Sequence, residues 1–331
     1  MRQQSLSATS HRPSQALIGI ISNCVSSTNR EQLDRVRSVI GQSPHLFHYE
    51  FDDIAALPEG LQLMADAGVA LLIINGGDGT IQATLTHIIN NQPFTIIPPI
   101  AILPGGKTNL IADDLKCKGS PASVLKRVIK TVRRGKLKKH LVERNLIALD
   151  LADGKPPRYG MFFGGAAVIK GILWSRTHIH QSKLPTRLGH ALAIMRLILK
   201  AAFSKEVSPL RSGQTTISMG TEQRYNGEFY LILVTTLSRL IMGLRPFGRE
   251  GNGGLKTAII DSRPGVMRQA LLALLTRRFH QGKVAGVYTA RTDHMLIDGD
   301  DPVTLDGEIY TPTPGKPIHL DCEKSLNFLR L

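Results

Sequence analysis

Cysteine is almost missing from this chain: three in 331 residues, Cys24, Cys117 and Cys322, far apart and odd in number. That excludes a disulfide framework, offers no zinc-ligand spacing and points to a reducing compartment. Aromatic residues are scarce, 5% with a single Trp. The basic runs therefore lack the aromatic interleaving of a nucleic-acid surface, and nucleic acid is not an expected partner. Acidic residues fall short of basic ones, 26 against 41, leaving a formal charge of +15. Such a surplus draws polyanions, whether nucleotide or anionic lipid. No run of about 18 apolar residues occurs, so a transmembrane helix is not expected. Residues 1–15 are polar and lack an apolar core, which predicts a disordered tail rather than a signal peptide. Neither Gly-x-Gly-x-x-Gly nor a Walker-type loop is present, which sets aside the ordinary dinucleotide and P-loop folds.

What is present is a chain with 42% apolar residues, long enough for two domains with a sizeable core. From residue 16 to about 140, strand-like and helix-like runs alternate. Strands are predicted at 16–22, 46–51, 69–75 and 100–103, and helices at 30–40, 60–67 and 81–90. Alternation of this kind argues for a parallel sheet wrapped by helices, with ligands at the carboxyl ends of the strands. Beyond residue 141 short apolar or alternating runs are separated by turn residues, at 145–151, 159–163, 215–219, 229–235, 257–260 and 284–289. These predict a second, mainly β domain built as a sandwich.

The most informative stretch is Val-Ala-Leu-Leu-Ile-Ile-Asn-Gly-Gly-Asp-Gly-Thr at 69–80. A strand buried on both faces stops at a glycine turn and a helix follows. Glycines let backbone approach a phosphate, and free N–H groups at a helix start attract its charge. Asp78, inside that turn, would repel a bare phosphate and is better suited to a proton, a hydroxyl or Mg²⁺. Near the end of the chain, Asp306 and Glu308 stand two residues apart in Leu-Asp-Gly-Glu. In an extended segment they would share one face, whereas the local composition alone reads as a hairpin turn.

Gly76-Gly77-Asp78-Gly79-Thr80 resembles the signature of the NAD kinases, phosphofructokinases and the diacylglycerol, sphingosine and ceramide kinases. Three more stretches point to the lipid kinases. Ile18-Gly-Ile-Ile-Ser-Asn23 and the loop to Thr28 resemble their first strand and its small-residue loop, here without the usual proline. Ile102-Leu-Pro-Gly-Gly-Lys-Thr-Asn109 resembles their second nucleotide loop, with Lys107 in place of Thr and Leu110 in place of Asp. Leu305-Asp306-Gly307-Glu308 matches the Asp-Gly-Glu of their catalytic carboxylates. On this resemblance the fold is an α/β N-terminal domain of NAD kinase type, residues 16–140 completed by 317–331, with a β-sandwich lipid domain at 141–316. It implies an ATP- and Mg²⁺-dependent kinase acting on a hydroxyl of a membrane lipid such as diacylglycerol or ceramide. Asp78, Asp306 and Glu308 would be catalytic. Asn23, Thr28, Gly76, Gly77, Gly79, Thr80, Gly106, Lys107, Thr108 and Asn109 would hold the nucleotide. An NAD kinase-type phosphotransferase or a non-catalytic relative is the alternative. The family's second-domain metal segment usually reads Asp-Asp-Gly-x-Leu-Asp-Val; Gly251-Asn-Gly-Gly-Leu-Lys-Thr257 has no carboxylate, so metal ligands stay unassigned.

The run at 126–139, rich in Lys and Arg, is amphipathic, with Val124, Leu125, Val128, Ile129 and Val132 on the packing side. Its cations face water or an anionic membrane. Residues 184–203 carry an apolar stripe at helical spacing, predicting either a buried helix or a cationic lid over the lipid. The expectation is a cytoplasmic protein associated peripherally with the membrane, with a homodimer left open.

Overall fold

The computed structural model describes residues 16–169, 212–220, 223–240, 245, 247, 251–275, 279 and 284–331. The tail at 1–15 and the apolar stretch at 184–203 lie outside them.

The first domain alternates as the pattern requires: β1 (Ile18–Asn23), α1 (Asn29–Gly41), β2 (Leu46–Phe51), α2 (Leu57–Asp66), β3 (Leu71–Gly76), α3 (Asp78–Asn91), β4 (Ile100–Pro104), α4 (Leu110–Asp114) and α5 (Pro121–Arg133). Every residue of β3 is buried, as befits a central strand covered by helices on both faces. Parallel pairing sets Ser22 opposite Asn75 and Gly76 opposite Pro104. The carboxyl ends of β1, β3 and β4 therefore lie side by side, and their loops open on the same edge. On α5, Val124, Leu125, Val128 and Ile129 are buried while Lys126, Lys130 and Arg133 are exposed.

Two further strands belong to this sheet, β5 (Leu141–Asn145) and β18 (Ser325–Leu329), in the order β2-β1-β3-β4-β18-β5. The limits read from sequence therefore shift. Residues 141–145 stay with the first domain, and the chain returns to it at Ser325 rather than at 317. The apolar runs on either side of each crossing look alike, so their sheet membership depends on pairing across distant parts of the chain.

The second domain places two antiparallel sheets face to face. One contains β6 (Ile147–Asp150), β7 (Arg158–Gly160), β9 (Thr215–Met219), β10 (Gln223–Gly227), β14 (His294–Asp298) and β17 (Ile318–Asp321). The other contains β8 (Phe162–Ala166), β11 (Phe229–Thr235), β12 (Leu255–Asp261), β13 (Val287–Thr292), β15 (Val303–Leu305) and β16 (Glu308–Tyr310). Alternate residues of both, among them Ile147, Ile217 and Met295 against Phe163, Phe229 and Leu255, form one core, the arrangement of a sandwich. The outer face of the second sheet is covered by α6 (Val266–Leu275), through Val266, Met267 and Ala270. Among the described residues no helix is long and apolar enough to cross a membrane.

Candidate active site

The three adjacent loops are tied together by buried amides. Asn29, at the start of α1, donates from Nδ2 to the carbonyls of Asn23 at 2.8 Å and Asn75 at 3.1 Å. Asn23 Nδ2 donates to Thr80 Oγ1 at 2.9 Å. Thr28 donates from its backbone N–H to Gly105 O at 2.9 Å and from its hydroxyl to Gly106 O at 2.8 Å. Asn109, in the left-handed region at φ 52°, closes the second loop on itself. Its Oδ1 accepts from Gly106 N at 2.8 Å and its Nδ2 donates to Gly106 O at 2.6 Å. Asn29 carries no motif signal in the sequence, and its role appears only once β1 and β3 are neighbours.

The glycines have a packing reason. A Cβ on Gly106 would stand 2.5 Å from the Cα of Gly77, backbone against backbone, so neither loop can give way cheaply. Gly106→Ala is expected to destabilise the fold by about 1–3 kcal/mol, the range for overpacking, which denaturant unfolding would measure. An unchanged midpoint would mean that the two loops separate freely. Lys107 and Thr108 stand exposed at the tip of the second loop, while Gly76, Thr80, Gly106 and Asn109 are buried beneath.

Asp78 is not in the turn but is the first residue of α3, and it does not cap its own helix. Its carboxylate accepts from the N–H groups of Leu110 at 3.1 Å and Ile111 at 3.3 Å, capping the N-terminus of α4. Burial pushes its pKa up to about 6, against the opposing pull of those N–H groups.

Asp306 and Glu308 correct the extended reading. Asp306 and Gly307, at φ 49° and 94°, form the two-residue turn between β15 and β16, which pair Leu305 with Glu308. Positive φ at both positions is the signature of a tight hairpin turn. The two carboxylates consequently take different environments. Asp306 is buried and accepts from Met161 N at 3.0 Å and Phe162 N at 2.9 Å. Burial, and next the negative charge of Asp78, hold its carboxyl well above the usual range. Glu308 is exposed and leans over the start of α3: a Cβ on Gly79 would meet its Oε1 at 2.7 Å. Three carboxylates from two domains thus gather at the N-terminus of α3, beside the glycine loops.

The domains are held in this relation along α3. Gln82 Nε2 donates to the Tyr310 hydroxyl at 3.1 Å, Thr86 Oγ1 accepts from Tyr159 N at 2.9 Å, and Asn90 Nδ2 donates to Pro157 O at 2.9 Å. The sequence gives no local sign of these contacts, which join residues as much as 228 positions apart.

Comparison with known proteins points in one direction. The family model of the diacylglycerol kinase catalytic domain matches residues 19–139, the stretch that holds all three loops and Asp78. No curated protein matches the sequence. Among solved structures, a Bacillus anthracis str. Sterne protein provisionally described as a diacylglycerol kinase is 16% identical, with a TM-score of 0.67, over 96% of this chain and 97% of that one. A second structure so described is 15% identical, with a TM-score of 0.66, over 95% and 97% of the two chains. A third, of a diacylglycerol kinase from the same organism, is 15% identical with a TM-score of 0.62 over 96% and 97%. At these identities the likeness is one of fold, and it extends over both domains.

Proposed function

We propose, for a chain whose residues 19–139 match the family model of the diacylglycerol kinase catalytic domain, that it transfers the γ-phosphoryl group of ATP to a hydroxyl of a membrane lipid. The observation that carries this reading is the gathering of Asp78, Asp306 and Glu308 beside a glycine-lined cradle at a helix start. The first N–H groups of α3 lack intrahelical acceptors and face anions favourably. The glycine backbones at 77 and 106 pack directly on one another, which keeps both loops together at the edge where a phosphate would bind. Lys107, exposed at the loop tip, is in place to add a charged donor.

Asp78 suits the role of proton acceptor. With its pKa lifted to about 6, it is ionised at neutral pH yet basic enough to take the proton of an attacking hydroxyl. The acceptor oxygen forms its bond to the γ-phosphorus while the bond from that phosphorus to the β–γ bridging oxygen breaks. ADP leaves with the electron pair, and the proton passes to Asp78. Asp306, held by Met161 and Phe162, fixes the hairpin that carries Glu308. Magnesium binds in kinases through one or two carboxylates plus nucleotide phosphates, and exposed Glu308 fits that donor set. When bound, the ion would neutralise charge on the transferring phosphate. The +15 net charge and the exposed cations of α5 favour approach to an anionic bilayer carrying the acceptor.

The direct test is transfer from labelled ATP into a total lipid extract, with a water-soluble short-chain diacylglycerol and NAD as separate acceptors. Label in a phosphorylated lipid is the expected result. Label in NAD, or no transfer to any acceptor while nucleotide is bound, would overturn the lipid kinase reading. In the same assay Lys107→Thr is expected to raise the KM for ATP roughly tenfold, through loss of a charge-assisted contact. An unchanged KM would leave Lys107 a solvated loop residue.

A further inference from the structure

The segment Gly251-Asn-Gly-Gly-Leu-Lys-Thr257 does not fit a divalent ion. It holds no carboxylate, and no described group of three or more His, Cys, Asp or Glu is placed to hold a metal. A cation is nevertheless fixed there. Lys256, on β12, donates from Nζ to the carbonyls of Thr236 at 3.0 Å and Leu237 at 2.8 Å. The ammonium also lies 5.6 Å from the ring centroid of Phe247. Two carbonyl dipoles and an aromatic face are what a half-buried cation needs in exchange for the water it gives up.

The loop that Lys256 grips, residues 236–238, follows β11 of the second domain and packs against the first. The Leu237 side chain is fully buried in the core of the first domain. From this loop two short routes lead to the reaction centre. Thr236 N donates to Met161 O at 3.1 Å, and the N–H of Met161 in turn donates to the Asp306 carboxylate. Ser238 N donates to Asp114 Oδ1 at 3.0 Å. Asp114 is buried, takes Arg144 Nε on its other oxygen at 3.2 Å, and ends α4, the short helix whose first N–H groups hold Asp78. Around Lys256, burial first and then Arg291, Arg144 and Arg245 lower its pKa to about 8, while Asp114 supports its charge.

We propose that Lys256 is a positioning residue of the reaction centre. Its ammonium is a built-in cation that fixes the 236–238 loop and, through Met161 and Asp114, sets where Asp306 and Asp78 stand. This rests on the reading of those carboxylates as the reaction centre, and its first test needs no reaction. Residue-resolved hydrogen exchange on the full chain compares wild type, Lys256→Gln and Lys256→Arg. Lys256→Gln is expected to speed exchange at least about tenfold at the amides of Thr236, Ser238, Met161, Phe162, Leu110 and Ile111, with β3 unchanged. Lys256→Arg, which keeps charge and donors, is expected to restore protection. In the wild type these amides are expected to open together, with one protection factor, so the idea is testable even if Lys256→Gln fails to fold.

Exchange that rises only at 236–238, or rises equally in β3, would overturn the positioning role, and so would independent opening of these amides in the wild type. In a turnover assay Lys256→Gln is expected to lower kcat about tenfold or more, with the KM for ATP within about threefold and recovery in Lys256→Arg. Wild-type kcat in Lys256→Gln would also overturn it. Without nucleotide, Mg²⁺ alone or EDTA is expected to move the wild-type Tm by no more than about 1 °C, since a ligand that does not bind adds no stability. A rise of several degrees with Mg²⁺ would show a metal doing this work. If the wild type transfers no phosphoryl group, the kinase reading falls while the exchange measurement still decides the role of Lys256.

Discussion

Asp78→Asn is expected to lose phosphoryl transfer by about 10²–10⁴-fold, the scale for removing a positioned acid–base group, while the protein stays folded. The asparagine keeps one oxygen to accept from the start of α4 and loses the second acceptor, at a cost of about 1 kcal/mol. Part of that cost is offset at neutral pH. The folded-state pKa of Asp78 is raised from 3.8 to about 6, so between those values the folded protein binds the proton more tightly than the unfolded chain. The stability that this carboxyl contributes is therefore present at low pH and is lost as pH rises through about 6. Asparagine does not bear that cost. The same pKa gives wild-type kcat/KM an acid limb near pH 6, where Asp78 loses its ability to accept a proton. A thermal melt together with a pH–rate profile checks both halves. Near-wild-type turnover in the folded variant, or an acid limb near pH 4, would remove Asp78 from the proton transfer.

Phe328→Ala is expected to cost about 3–5 kcal/mol of stability, the range for truncating a buried Phe. Phe328 is fully buried in β18, paired in parallel with Ile100 of β4 and antiparallel with Val142 of β5. It fills the first domain's core from the far end of the chain. A cavity there loosens the strand that holds β5, and with it Arg144, the partner of Asp114. Urea unfolding followed by circular dichroism would show the midpoint fall. A loss below about 1 kcal/mol would mean that the last strand packs loosely and that the first domain closes without it.

The exposed cations of α5 and the two glycine loops were open to sequence reasoning because they depend on nearest neighbours. Periodicity separated Val124, Leu125, Val128 and Ile129 from Lys126 and Lys130, and the structure buries the first set. Other features were misread for a physical reason. An extended Asp306-Gly307-Glu308 and a hairpin turn obey similar local preferences. The choice fell to the turn because Leu305 pairs with Glu308 and the Asp306 carboxylate finds the N–H groups of Met161 and Phe162. Nothing near Asp306 in sequence announces those partners, which lie 144 and 145 residues away.

By itself the sequence determined the α/β order of the first domain, the β character of the second, and the three loops that meet at one sheet edge. Each follows from hydrophobic period and from glycine and Asn at turns, which act over a few residues. Only the tertiary structure decided that Asp78 caps α4 and that Asp306 is buried in a turn. It alone placed 325–329 between β4 and β5 and set the Lys256 ammonium on the 236–238 carbonyls. Those outcomes depend on which buried donor finds which acceptor once the domains close. Water is excluded there, an unpaired group is costly, and the pairing joins residues that no local pattern relates.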